Sequence, residues 1–423
     1  MRLLYTLLLT LVSPFFLYSL YKSKPNKPRF GQRWKEHFGF TPELSKNNGQ
    51  VIWFHTVSVG ETIAATPLIK AYHQQNPTHT IVLTTTTSTG AEQAEKLKEI
   101  AQHRYMPVDF CWAIRRFIRV IQPSKLFIME TELWPNTLKA SAQAGISISI
   151  LNARLSERSF LRYKKWQSIF NLFAKYIDQL LCQTQADADR FHALGIDSKK
   201  LNVTGSLKFD ITISPETYEA GAALREEIGI QRPVWIACST HQGEDKILLD
   251  VHNALLQTIP NLLLMIVPRH PERFDSVTTM SHQQALTTLR RTAKQPIAQA
   301  TQVYIADTMG EMLLLIAAAD VCFMGGSLLG DKVGGHNLLE PAALGKPCLT
   351  GSSYYNFTQI TEKLTEANGC FICANSKAII QSIEYLFSDQ AQQIKMGQNA
   401  FNVVKQNQGA INKTLFHLTS GVT

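Results

Sequence analysis

Carboxylates set directly after short apolar runs are the residues of this chain best suited to chemistry. His55-Thr56-Val57-Ser58-Val59-Gly60-Glu61-Thr62 closes one such run, and its Ser58–Gly60 turn leaves Glu61 at the edge of any ligand cleft. A carboxylate there can act as a general base if its surroundings adjust its pKa. Taken alone, Glu61 fits equally well the ordinary preference of glutamate for a helix N-terminus. Ile128-Met129-Glu130-Thr131-Glu132-Leu133-Trp134-Pro135-Asn136 places two more acids after another apolar run. One of the two is a candidate for catalysis or orientation, and the competing role for both is capping of a helix that starts near Pro135. In Gly205-Ser206-Leu207-Lys208-Phe209-Asp210 the lysine can offset charge on a leaving phosphate.

The second half offers groups that suit an anion. Pro268-Arg269-His270-Pro271 holds an arginine between two prolines, which favours a placed, bidentate contact to phosphate. Thr308-Met309-Gly310-Glu311-Met312 has capping-box spacing, which accounts for Glu311, yet a helix start at Gly310 also offers amides to an anion. Gly325-Gly326-Ser327 permits close approach of a ligand to the backbone. The block Gly334-Gly335-His336-Asn337-Leu338-Leu339-Glu340-Pro341 reads as a glycine turn running straight into a short apolar helix. Free N–H groups at that start suit a phosphate, and Glu340, about one turn further in, suits the hydroxyl pair of a ribose. His55, His241, His270 and His336 show no metal-ligand spacing. The loops contain neither G-x-x-x-x-G-K-[ST] nor G-x-G-x-x-G, which weakens ATPase and dehydrogenase readings.

The elements that must hold these residues alternate in kind. Strands are expected at Val51–His55, Thr80–Thr86, Leu126–Met129, Ile146–Leu151, Gln179–Cys182 and Asn202–Thr204. Helices are expected near Thr62–Tyr72, Ala91–Ile100 and Arg162–Tyr176. After a polar stretch at Ile213–Glu216 the pattern restarts, with strands at Val234–Cys238, Leu262–Val267, Val303–Ala306, Val321–Met324 and Pro347–Thr350 and a helix at Met309–Ala319. Strand and helix in alternation mean parallel, doubly wound sheets. With 423 residues, two Rossmann-like domains facing a cleft are expected: residues 23–212 and 213–423, with the last helices, from about Asn375, candidates to return to the first.

Residues 1–22 stand apart. Leu3–Tyr21 contains no charge, and as a helix it would extend about 28 Å, near the thickness of a hydrocarbon core. Pro14 is a candidate kink. Only Arg2 precedes it, whereas Lys22, Lys24, Lys27, Arg29, Arg33 and Lys35 follow, so the positive-inside rule leaves the body of the protein in the cytoplasm. No small-residue cleavage site follows, which favours an uncleaved anchor over a signal peptide. Residues 1–210 carry 27 Lys and Arg against 15 Asp and Glu, while residues 211–423 carry 15 against 18. A basic half beside an anchor suits an anionic membrane face or a phosphorylated lipid, and no nucleic-acid motif accompanies the charge. The seven cysteines lack framework spacing, as in a reducing cytoplasm, and Cys370 and Cys373 read as strand or core residues.

Taken in order, these motifs resemble the 3-deoxy-D-manno-octulosonic acid (Kdo) transferases, inner-membrane glycosyltransferases of bacterial lipopolysaccharide synthesis. The resemblance runs from the anchor through H-x-V-S-V-G-E at His55–Glu61, E-T-E-L-W-P-N at Glu130–Asn136, Asn152-Ala153-Arg154-Leu155-Ser156 and T-G-S-L-K-F-D at Thr204–Asp210. It continues through Val267–Phe274, Asp307–Glu311 and Gly334–Ala342. It implies a GT-B fold and an inverting, metal-independent transfer from CMP-Kdo to a tetra-acylated, phosphorylated lipid A precursor at the bacterial inner membrane, with no cofactor beyond the donor. By that resemblance Glu61 is the general base, and Glu130 and Lys208 stabilise the transition state. Pro268, Arg269, Gly310, Glu311, Met312, Asn337, Leu338, Leu339 and Glu340 hold the CMP moiety. Two positions depart from the pattern: Leu338 stands where the family often has proline, and the loop Ser327–Val333 is variable. The rival readings are another GT-B enzyme, such as a UDP-sugar transferase or 2-epimerase, and a membrane-tethered nucleotide-sugar sensor.

Overall fold

The computed structural model describes residues 2–22, 28–45 and 49–419. Lys24 and Lys27 of the basic flank lie outside the described residues. The chain forms two compact units, Met1–Asp210 with Gly409–Thr423, and Ile211–Gln408.

The first unit is built on seven parallel strands: β1 (Val51–His55), β2 (Thr80–Thr85), β3 (Ala101–Tyr105), β4 (Lys125–Met129), β5 (Ser147–Ala153), β6 (Gln179–Cys182) and β7 (Leu201–Val203). Their spatial order is β3-β2-β1-β4-β5-β6-β7. Residues alternate between the two faces. Trp53, Val82, Leu126 and Ile128 enter the core on one side. Ile52, Phe54, Leu83 and Phe127 enter the other. With helices on both faces, the strands become continuous apolar runs. Each such large side chain, fully buried, stabilises the fold by about 1.5–3 kcal/mol.

The second unit repeats the plan with β8 (Val234–Thr240), β9 (Leu263–Pro268), β10 (Thr288–Arg290), β11 (Val303–Ile305), β12 (Val321–Met324), β13 (Cys348–Thr350) and β14 (Cys370–Ile372). These are ordered β10-β11-β9-β8-β12-β13-β14. Trp235, Ile266, Phe323 and Leu349 anchor its core. All seven cysteines are free thiols, and burial pushes the Cys370 and Cys373 thiols up, so neither is a ready nucleophile.

Several elements differ from the sequence expectation. The edge strands β3 and β10 and the helix Cys111–Ile121 are additional. The helix expected over Arg162–Tyr176 is two, Glu157–Lys165 and Gln167–Ala174, because Trp166 between them leaves helical geometry at φ −116°, ψ 43°. Helices Ser376–Ser388 and Gln390–Asn407 stay with the second unit, and only Ala410–Thr419 belongs to the first. The Asp210 carboxylate fixes that last helix by accepting the backbone N–H groups of Gly409 and Ile411. Ala410, Leu415 and Leu418 then join the same core face as Phe54.

The N-terminal helix, Arg2–Tyr21, continues through Pro14. Proline cannot donate to the Thr10 carbonyl four residues earlier. The Ser13 hydroxyl does so instead, at 3.2 Å. Leu4, Leu7, Leu8, Leu11, Phe15 and Tyr18 form one exposed apolar stripe along the helix.

Candidate active-site loops

In an open parallel sheet, ligands collect beyond the carboxyl ends of the strands where the winding reverses. In the first unit that point lies between β1 and β4, and the loops leaving these two strands carry Glu61 and Glu130. Ser58 caps the helix Val59–Gln75. Its hydroxyl donates to Glu61 Oε1 at 2.9 Å, and the Val57 N–H donates to Oε2 at 2.8 Å. Glu61 therefore completes a capping box, the structural role open to it from sequence. Its carboxyl is also pushed up to about 7. Burial is the main cause, the two hydrogen bonds oppose it, and the charges of Glu130 and Glu132 add to it. The two roles coexist: the cap locks the rotamer and the burial tunes the proton.

Glu130 adopts φ +57°, a left-handed conformation uncommon for a residue with a side chain, and its N–H is tied to the Leu151 carbonyl at 2.8 Å. Glu132 is raised by burial and then by Glu130, while the neighbouring Trp134 draws it down. Three acids of two loops thus share one electrostatic environment. Asn136, from the same motif, is buried for structural reasons. Its side chain donates to the Asp109 carbonyl at 2.7 Å, and its N–H donates to the Asp109 carboxylate at 3.0 Å.

Lys208 sits in a 3-10 turn, Leu207–Phe209, whose flanking residues are buried. The turn is held by Asn152, itself at φ +54°, whose Oδ1 accepts the Leu207 N–H at 3.1 Å. His55 is structural: its Nδ1 pairs with the Thr84 hydroxyl at 2.9 Å, and burial lowers its pKa to about 4.

In the second unit the winding reverses between β8 and β12. The loop after β12 corrects one expectation. The N–H groups of Gly326, Ser327 and Leu328 are not open to a ligand. They donate to the wholly buried Glu244 carboxylate at 2.7, 2.9 and 2.9 Å, and the His241 N–H joins them at 3.0 Å. The close approach that Gly325 and Gly326 permit is to the protein itself. A Cβ on Gly326 would sit 2.8 Å from His336 and Val333.

Arg269 leaves β9 beside this loop, its N–H donating to the Thr240 carbonyl at 3.0 Å. Its charge reaches His336 and Glu340. His241 Nε2 and His336 Nε2 are 2.8 Å apart with parallel rings, and His270 meets His241 edge-on. Burial, followed by His241, Arg269 and His270, lowers His336 to about 4. Burial raises Glu340 to about 7, with Arg269 opposing. Arg269 and Glu340, far apart in sequence, thus come within electrostatic reach of each other, and the Arg269 charge also acts on His241 and His336.

The Gly334–Pro341 block differs in detail from the expectation. Its helix, Leu339–Ala343, begins three residues after the glycine turn, so Glu340 is its second residue. The first free N–H, that of Leu339, is already taken by Asn337 Oδ1 at 3.1 Å. Leu338 and Leu339 are buried and have only main-chain atoms to offer a ligand. Gly334 and Gly335 are required by positive φ and by space, a Cβ on Gly334 lying 2.4 Å from the Tyr355 ring. Glu311 accepts the Thr308 hydroxyl, the pair its spacing predicts, but the bond joins the two side chains and Glu311 itself stands at the N-cap, so no capping box forms. Glu311 precedes the helix Met312–Ala318 and pairs with Arg291 through two bonds of 2.6 and 2.7 Å, which hold its carboxyl below the usual range. Gly310, at φ +86°, faces open space, and Met312 accepts the Ser239 hydroxyl at 3.5 Å. Among the described residues no group of His, Cys, Asp and Glu is arranged to hold a metal ion.

Sequence reasoning missed Asp109 and gave no role to Asn152 and Glu244; all three are buried polar side chains that shape these loops. Glu244 carried a signal, as an acid one turn into the segment after β8.

A family model described as 3-deoxy-D-manno-octulosonic-acid transferase (kdotransferase) matches residues 32–211. The chain is 38% identical to the 3-deoxy-D-manno-octulosonic acid transferase of Haemophilus influenzae, over 98% of this chain and 97% of that one. It is 33% identical to the enzyme of the same name from Bordetella pertussis, over 86% of each. Among solved structures, UDP-GlcNAc 2-epimerase from Neisseria meningitidis matches at a TM-score of 0.59 and 15% identity, over 88% of this chain and all of that one. That likeness shows the fold, a GT-B-like α/β architecture of two Rossmann-like sheets.

Proposed function

The chain belongs to the 3-deoxy-D-manno-octulosonic acid (Kdo) transferase family and is a glycosyltransferase, and from that membership we propose that it moves Kdo from CMP-Kdo to a hydroxyl of a membrane-embedded lipid A precursor with inversion and without a metal. The observation that carries the reading is Glu61. A carboxyl raised to about 7 at the winding point of a doubly wound sheet is half ionised near neutral pH. It can take the proton of an acceptor hydroxyl as the hydroxyl oxygen attacks the anomeric carbon and the bond to CMP breaks. Glu130 and Lys208 act with it, the lysine compensating charge that grows on the departing phosphate.

In the second unit Arg269 supplies positive charge for the CMP phosphate, with Pro268 fixing its loop. Glu340 and Asn337 hold the nucleoside, and Leu338 and Leu339 contribute backbone. Gly310, Glu311 and Met312 form a further wall, and the Arg291 pair keeps Glu311 ionised and in place. Nucleotide monophosphates leave readily, so positioning with one base and cationic compensation suffices for the step. The apolar N-terminal helix and the basic first half support a body held at the cytoplasmic face of the bacterial inner membrane.

The test is incubation of the full-length protein with CMP-Kdo and the tetra-acylated precursor, followed by mass spectrometry of the lipid. A mass increase of one or more Kdo units is expected. Unmodified precursor under varied pH and detergent would overturn the proposal.

A further inference from the structure

The segment Leu9–Phe16 of the N-terminal helix roofs a cavity of about 140 Å³ in the first unit. Leu9, Ser13 and Phe16 form the roof, and Met106, Val108 and Trp134 form much of the wall. The helix is fastened over it at both ends. The Tyr5 hydroxyl donates to Asp109 at 2.9 Å, the Asn136 side chain donates to the Thr6 hydroxyl at 3.3 Å, and Tyr21 pairs with His37 Nδ1 at 2.8 Å. His37, which also lines the space, is lowered to about 4 by burial and is neutral at pH 7. Most of the lining surface is apolar, and its polar members include the Thr86 hydroxyl, His37 Nε2 and Trp134 Nε1, which have no hydrogen-bond partner among the described residues. A cavity of about 150 Å³ with largely apolar walls has room for a six-carbon ring. A hydrocarbon segment of that size fits here.

Two features identify the occupant. On its outer side the roof carries the exposed stripe Leu4–Tyr18, so the cavity lies one helix away from the surface that the proposed function gives to the bilayer. On its inner side the wall is Trp134, two residues beyond Glu132 in the loop that leaves β4, and the Glu132 charge raises Glu61. A chain held in the cavity therefore lies against the loop that carries Glu130 and Glu132. We propose that the cavity receives one acyl chain of the lipid acceptor, so that the N-terminal helix is a wall of the acceptor site as well as an anchor. The inference rests on the reading of the first unit as the acceptor-binding half of a Kdo transferase.

The test compares the tetra-acylated precursor with its fully deacylated disaccharide bisphosphate, using the full-length chain in phosphatidylethanolamine–phosphatidylglycerol vesicles. Ser13→Phe fills the cavity from its roof. Leu9→Trp does so from a half-exposed position, and its melting temperature is compared with the parent's to check that it folds. Both are expected to raise KM for the acylated acceptor by about tenfold or more, and to lower the acylated-to-deacylated ratio of kcat/KM by the same factor. An unchanged ratio in both variants overturns the proposal. An equal fall for both acceptors also overturns it, assigning the space to a bilayer lipid or to packing alone. Transfer by the unmodified protein to neither acceptor defeats the transferase reading itself, an outcome distinct from the other two.

Discussion

Glu61 shows how one side chain combines a fold-making and a chemical role. Glu61→Gln keeps an acceptor for the Val57 N–H and so keeps the cap, but loses the base. Transfer should fall by about 10²–10⁴-fold while the melting temperature holds. The pH dependence has a definite sign. The carboxyl is raised from 4.5 to about 7, so the active, ionised form accumulates as pH rises through about 7 and is lost below it. The contribution to stability runs the other way: it is fully present below about 4.5 and lost as pH rises through about 7. Glu61→Gln is therefore expected to melt no earlier than the parent at pH 8. A rate profile in Glu61→Gln that rises through pH 7 as the parent's does would assign the titration to another group. At this scale the acids after β1 and β4 were legible because an acid directly after an apolar run is visible in sequence. Glu244 was not: its role depends on three N–H groups more than eighty residues away.

Among the elements, apolar runs announced the central strands, and polar composition hid the edge strands β3 and β10. β1, β6 and β12 stand where their runs stand, because strands covered on both faces are apolar throughout. β3 reads Ala-Gln-His-Arg-Tyr, half-exposed in its middle, and carries no such signal. The glycine-framed block misled by three residues, since His336, Asn337 and Leu338 precede the helix and Asn337 takes the Leu339 N–H in a local side-chain turn. Asp210 is the clearest element-scale determinant, joining the end of one motif to the last helix. Asp210→Ala removes both acceptors at that helix start and should cost about 1–2 kcal/mol. Amide exchange over residues 411–419 should accelerate well before the rest of the unit opens, and uniform exchange across the unit would refute this local role.

For the molecule as a whole, the basic excess lies in the half that carries the apolar helix, and exposed Trp34, Phe40 and Trp112 belong to the same unit. Aromatic and cationic groups together suit a membrane interface. Removing residues 1–21 should leave vesicle binding that needs anionic lipid and vanishes at high salt, whereas the intact chain stays bound in both conditions. Flotation with and without phosphatidylglycerol checks this, and salt-resistant binding by the truncated chain would contradict it.

The Asp210–Gly409 bond has a further consequence. The chain leaves the first unit and re-enters it at hydrogen-bonded neighbours, so the second unit is a guest spliced into its host between adjacent points. During synthesis the host's covering helix leaves the ribosome only after the whole guest has done so. The guest, complete by Gln408, can fold before the host is whole.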